Sequence, residues 1–295
     1  MFTLKRRSPG EAVFDWINGF LMLVICFLTV YPIWYVVVNA FNDGTDAMRG
    51  GIYWWPRAFS LDSFRTVFRS SGIMTAMGIT VAKTVVGTVM HVLFTAMVAY
   101  ALSRKELIGR RLYMILGTVT MFFSGGLIPT FLLTRDLGML DHFIVYIVPA
   151  MFSFFDLIIF LSFFRDIPEG LTEAAEIDGA GDFSIFFRIV IPVSMPVVAT
   201  IALFHGVYQW NDYFTGMIYV NNTDLQPIQT YLYRVVAQAS SNQMLAAIPS
   251  GVTTNVTSQS LKLATMVVTT APIVFVYPFL QKYFVKGFMI GSLKG

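Results

Sequence analysis

From Trp16 to Phe41 the chain runs 26 residues without one charged side chain. That exceeds the roughly 20 apolar residues a helix needs to cross about 30 Å of hydrocarbon. No water reaches the backbone in that medium, so a crossing segment has to satisfy its own N–H and C=O groups, which a helix does. Five further runs keep their charge mainly at the ends: Gly72–Leu102, Leu112–Thr134, Phe143–Phe164, Val193–Val220 and Leu263–Phe284. Only 13% of the 295 residues are charged and 56% are hydrophobic, against about 25% charged in an ordinary soluble domain. The expectation is an all-α polytopic membrane protein with six transmembrane helices. A net charge of +3 leaves no clustered basic footprint for nucleic acid. The single cysteine, Cys26, excludes disulfide frameworks, zinc clusters and Cys-pair redox chemistry.

Orientation follows from Lys and Arg in the loops. With the N-terminus inside, twelve fall on the cytoplasmic side and seven outside, while Lys83 lies within the second span. The bias places both termini in the cytoplasm: residues 1–15 as a tail, 16–285 as the membrane domain and 286–295 as a second tail. Two outer loops remain, 42–71 and 221–262. The first carries Trp54-Trp55-Pro56, an interfacial anchor, and then Leu61-Asp62-Ser63-Phe64, the start of a short helix. In the second, a helix is expected near Gln229–Ala239 and a flexible piece near Ser250–Ser260. Outer loops of this length serve as partner surfaces or as plain connectors.

Between the fourth and fifth spans lies a punctuated cytoplasmic segment, 165–192. Asp166 suits a helix cap, Pro168 a first turn and Glu169 the third position after the cap, while Gly179 and Gly181 supply a stop. Leu171, Ala174, Ala175 and Asp178 recur at helical spacing as a shallow face, with Glu169, Glu173 and Glu176 on another arc. On physics alone this is either an acidic interfacial helix or a docking element.

Glu173-Ala174-Ala175, three residues, Gly179, nine residues and then Ile189-Val190-Ile191-Pro192 resemble the EAA loop of ABC importer permeases, with Ile191 in place of the usual Leu. Met121–Thr130, Gln209–Tyr213 and the C-terminal run from Tyr277 to Gly287, closed by Gly291–Gly295, are similar to the carbohydrate-uptake class, in the LplC/YtcP-like branch that groups the maltose-type second permease with importers of complex oligosaccharides. The resemblance implies a type I ABC importer permease fold with a cytoplasmic coupling helix. Glu173, Ala174, Ala175, Asp178, Gly179, Ala180 and Gly181 would then contact an ATPase. It further implies a homologous companion permease, two ABC ATPase subunits, an extracytoplasmic solute-binding protein, an oligosaccharide substrate and a bacterial plasma membrane. No cofactor is expected in this chain. A phosphate-cradling loop needs Gly followed by Lys, which occurs nowhere, so ATP and Mg belong to the ATPase and the chain is a non-catalytic subunit.

Polar residues at membrane depth are costly and invite a functional reading. Asp156 either lines a path or helps end a helix, and Lys83 either snorkels or pairs. His205, Gln209 and Asp212 share a stripe with Tyr208 and Asn211 beside it, and Trp210 adds a flat apolar face. These residues are either a sugar path or interface anchors and kink caps. Tyr31, Tyr35 and Asn39 recur at four-residue spacing in the first span, as a second path stripe or as packing. Ser124-Gly125-Gly126 before Pro129 predicts a break in the third span. The competing function is a self-contained, ion-coupled secondary transporter with Asp156, Lys83 and Asp212 as its relay, and a membrane scaffold or sensor is a third.

Overall fold

The computed structural model describes residues 9–245 and 257–292. Among them the chain is helical and no strand forms. In chain order the α-helices are α1 (Pro9–Ala40), α2 (Gly44–Ala47), α3 (Asp62–Arg69), α4 (Ser71–Ser103), α5 (Arg110–Phe122), α6 (Leu127–Asp136), α7 (Phe154–Arg165), α8 (Glu169–Ile177), α9 (Asp182–Ile185), α10 (Ile191–Val193), α11 (Met195–Asn211), α12 (Phe214–Tyr219), α13 (Ile228–Leu245) and α14 (Ser258–Ser292). Two 3₁₀ turns, Phe143–Tyr146 and Thr223–Leu225, and one π-turn, Phe186–Val190, lie between them.

The helices fall into two compact units. In the first, α1 is uncharged from Trp16 onward and its large side chains are exposed, Trp16 at 81% and Phe20 at 69%. Such a helix suits lipid rather than water. The outer loop is tied to its end. Trp34 Nε1 donates to the Trp54 carbonyl at 3.0 Å and its ring meets Trp55 edge-on, while Asn39 Nδ2 donates to the Tyr35 and Ile52 carbonyls. The short helix expected after Leu61 is α3. The helix expected near Gln229 is α13, and the flexible piece expected from Ser250 lies largely outside the described residues, as do residues 1–8 and 293–295 of the two tails.

The second unit is built on α4, 33 residues without interruption. Its core joins Val92, Ala96 and Ala99 of α4 to Leu157, Phe160 and Leu161 of α7, Ile185 of α9 and Phe186 of the π-turn, and Val197 and Ile201 of α11. Small residues on α4 let its neighbours approach. A Cβ on Gly87 would lie 2.8 Å from Gln209 Nε2, and one on Gly117 of α5 would lie 1.8 Å from the Phe154 ring of α7.

Two described helices, α1 and α4, are each long and apolar enough to cross a membrane alone. The third and fifth expected spans are bent rather than straight. The break at Ser124–Gly126 lies between α5 and α6, whose axes turn by 117°, with Gly126 at φ 81°. Only glycine enters that region without strain. The fifth run turns by 83° at Ser194 between α10 and α11. Pro192 has no N–H to continue the ladder, and the turn before it widens so that the Ile191 N–H reaches the Phe186 carbonyl. The fourth run, Phe143–Phe164, is helical over α7 only. Its first half is a 3₁₀ turn and irregular backbone around Pro149. Hydropathy alone does not separate these cases, because backbone packed inside protein may leave the helix at membrane depth. The sixth run, Leu263–Phe284, lies within α14.

Candidate functional site

The segment after α7 forms a helix, a stop and a second turn. Pro168, rather than Asp166, stands at the N-cap of α8. Asp166 instead ends α7, its N–H donating to the Phe163 carbonyl, because the chain must leave helical geometry before Pro168. Gly179 adopts φ 81° and closes α8, with the Ala180 N–H donating to the Ala175 carbonyl. Gly181 opens α9.

The shallow face read from the sequence is divided. Ala175 and Ala180 pack toward the core of the second unit. Leu171, Ala174, Ile177, Asp178 and Gly179 are exposed, Ile177 at 86%. The acidic arc is divided as well. Lys105 Nζ donates to Glu169 Oε1 at 2.5 Å, and Arg104 Nη2 donates to Glu176 Oε1 and, at 3.3 Å, to Asp182 Oδ1. Glu173 is exposed and makes no ion pair among the described residues. The ammonium of Lys105 holds the Glu169 carboxyl below its ordinary range, and Glu169 in turn raises Lys105.

A second polar cluster lies where α4 meets α11 and α7. Lys83 Nζ donates to the Asp212 carbonyl at 2.9 Å and to Asp212 Oδ2 at 3.1 Å, with Tyr146 beneath it, the ring centroid 5.0 Å away. Two turns further along α4, His91 Nε2 lies 2.9 Å from Asp156 Oδ2 and Nδ1 lies 2.8 Å from the Ala150 carbonyl. Both ring nitrogens of His91 thus face oxygen atoms, one on the backbone and one on a carboxylate side chain. The His205 ring stacks on His91 at 3.8 Å, and Gln209 Nε2 donates to the Tyr146 carbonyl at 3.0 Å. Lys83, Gly87 and His91, at four-residue spacing, therefore match the stripe of His205, Gln209 and Asp212.

That stripe is thus turned toward α4. His205 and Gln209 are buried, whereas Tyr208 and Asn211 are exposed and Trp210 is half-buried. A cavity of about 100 Å³ opens beside it, lined by Thr130, Thr134, Tyr146, Tyr208, Gln209 and Asp212 among others. It has room for a few water molecules and is too small for a sugar ring. In the other unit, Tyr31 stacks against Phe27 and meets Trp54 at a tilt, Asn39 is buried on its carbonyl partners, and Tyr35 is exposed. Sequence reasoning did not single out His91, Tyr146, Arg104 or Lys105. Their partners are far away in the chain, and only the charge of the last two was a signal.

The model of the family described as binding-protein-dependent transport system inner membrane component matches residues 91–290. The chain is 41% identical over 280 residues to the polygalacturonan/rhamnogalacturonan transport system permease protein YtcP of Bacillus subtilis (strain 168), covering 95% of this chain and 97% of that one. It is 37% identical over 298 residues to protein LplC of the same organism, covering 99% and 98%. Its fold matches a chain in the crystal structure of a bacterial ABC transporter involved in the import of the acidic polysaccharide alginate, with a TM-score of 0.87, 28% identity and coverage of 95% and 99%. With a family model over two thirds of the chain and a matching fold, this protein belongs to the inner membrane components of binding-protein-dependent transport systems and is a type I permease of an ABC importer.

Proposed function

We propose that this chain is one of two permeases that together form the path of an ATP-driven importer for an acidic oligosaccharide in a bacterial plasma membrane. The observation that carries the coupling part of this reading is Glu173 on α8, exposed and without an ion pair among the described residues, flanked by Glu169 and Glu176, whose charges are already engaged. A carboxylate without a salt-bridge partner on an exposed helix face is suited to an Arg or Lys in a partner's groove. Ala174, Asp178, Gly179 and Gly181 extend the exposed surface, while Ala175 and Ala180 seat it on the core. Two ATPases that bind ATP and Mg would dock there, and their closure would rock the permeases between inward-open and outward-open states.

In this reading six spans cross the membrane with both termini in the cytoplasm. The bent pairs α5–α6 and α10–α11, and the interrupted fourth run, each act as one crossing. Tyr208 and Asn211, which are exposed, face the companion permease and the sugar. Asp156, His205, Gln209 and Asp212 support that wall from behind, and Trp210, Tyr31, Tyr35 and Asn39 stay as further path candidates. A solute-binding protein delivers substrate to the outer loops 42–71 and 221–262. The acidic substrate class rests on the printed names of a polygalacturonan/rhamnogalacturonan permease and an alginate importer.

The test is uptake by proteoliposomes containing this chain, its companion permease, the ATPases and the binding protein. ATP-dependent uptake of an oligogalacturonide, in preference to a neutral arabino-oligosaccharide, is the expected result. Uptake by this chain alone, driven by an ion gradient, would establish the secondary-transporter reading instead.

A further inference from the structure

The last turn of α4 and the two residues that follow it grip the EAA segment at four places. Lys105 holds Glu169 at the start of α8, and Arg104 holds Glu176 near its end and Asp182 at the start of α9. One turn back, the Tyr100 ring lies 5.4 Å from Phe186 in the π-turn and 5.7 Å from the Arg104 guanidinium. The same helix carries Lys83, which is fixed to the carbonyl and carboxylate of Asp212 at the C-cap of α11. Twenty residues separate Lys83 from Ser103, about 30 Å of continuous helix. That is roughly the thickness of the hydrocarbon core.

We propose that α4 is a strut that carries displacement of the EAA segment across the membrane to the far end of α11, with Arg104 as the positioning residue that engages it. This rests on the coupling role given to α8 above and extends it. The covalent route from α8 to that end passes through the π-turn at Phe186–Val190 and the 83° bend at Ser194, two joints at which motion is absorbed. The route through α4 is unbroken helix from Lys83 to Ser103, with Arg104 directly at its C-cap. Its inner attachment is ionic and its outer attachment is a buried ion pair, so the two ends of α11 are addressed separately: one by the chain, the other by the strut.

Both contacts of the guanidinium to the EAA segment run through a single nitrogen, Nη2. A point charge can replace it, so Arg104→Lys should act as a conservative rescue of Arg104→Gln. The experiment uses the full complex in proteoliposomes and reads sugar uptake per ATP hydrolysed. Arg104→Gln is expected to lower that ratio about fivefold while the ATPases stay bound, and Arg104→Lys to restore most of it. In a Cys26→Ser background, Phe214→Cys, an exposed position two residues past the C-cap of α11, reports on that end through its maleimide labelling rate. ATP should change that rate in the otherwise native chain, and Arg104→Gln should abolish the change with ATP binding intact. An unchanged uptake ratio and an unchanged labelling response in Arg104→Gln would overturn the strut. Loss of the ATPases from the native complex would instead overturn the coupling role of α8. If Arg104→Gln does not assemble, Lys105→Gln is read in the same two assays and faces the same expectations.

Discussion

Lys83 and Asp212, 129 positions apart, form an ion pair whose lysine is fully buried: Nζ lies 3.1 Å from the carboxylate and 2.9 Å from the Asp212 carbonyl. Asp212 Oδ1 also accepts the Thr215 N–H at 3.0 Å, so the carboxylate joins α4 to the turn between α11 and α12. Removing one partner strands a charge away from water. Asp212→Ala is expected to cost about 3–5 kcal/mol. The double variant Lys83→Met/Asp212→Leu strands no charge and should recover most of that loss. Thermal unfolding of the purified chain in detergent measures both.

Gly117 is the second position where a single atom decides the packing. A Cβ there would overlap the Phe154 ring at 1.8 Å, and α5 meets α7 at that point. Gly117→Ala should therefore force the ring or the helix aside and cost about 1–3 kcal/mol. The more open Gly170, with nothing within 4 Å of its Cβ position, should accept Ala with a small gain in helix propensity. Comparing the midpoints of the two variants checks the contrast.

Glu173→Lys reverses the exposed unpaired charge on α8. Membrane insertion and the folding midpoint should stay as in the native chain, since Glu173 makes no ion pair among the described residues. Transport-coupled ATP hydrolysis by the complex should fall by about tenfold or more. Unchanged coupled hydrolysis would remove Glu173 from the interface.

The Lys105–Glu169 pair predicts a specific pH response. Lys105 lowers the Glu169 pKa from its ordinary 4.5, so the pair's contribution is present above pH 4.5 and is lost as pH falls through the lowered value. Lys105 is raised above 10.5, and its contribution is lost only as pH rises through that higher value. Hydrogen exchange at the first turn of α8 should thus be flat from pH 5 to 9, once corrected for intrinsic rates, and its protection should fall in acid. Lys105→Gln should remove the acid step.

What was legible in the sequence was local. Gly179 as a helix stop, the break at Ser124–Gly126 and the short helix after Leu61 follow from backbone preferences of a few adjacent residues, and each has its counterpart in the structure. The cap of α8 was misread because Asp166 and Pro168 compete for one boundary, and the constraint before proline places the helix start later. The bend at Ser194 was missed, although Pro192 and Pro196 both signal it, because an apolar run reads the same whether straight or bent. The buried seam was half legible. The stripe of His205, Gln209 and Asp212 is a one-helix pattern, but its partners Lys83 and His91 sit more than a hundred residues away, and pairing at that distance leaves no periodicity to read. Of the polar residues read as path candidates, Asp156, His205, Gln209 and Asp212 are turned toward α4, while Tyr208 and Asn211 are exposed.

Affinity purification of this chain from its native membrane, in a detergent that preserves ABC complexes, with identification of what stays bound, is the most direct measurement. The account predicts recovery of a second permease and an ATPase, and loss of the ATPase alone when Glu173–Gly179 is altered. Recovery of this chain without either partner would contradict it.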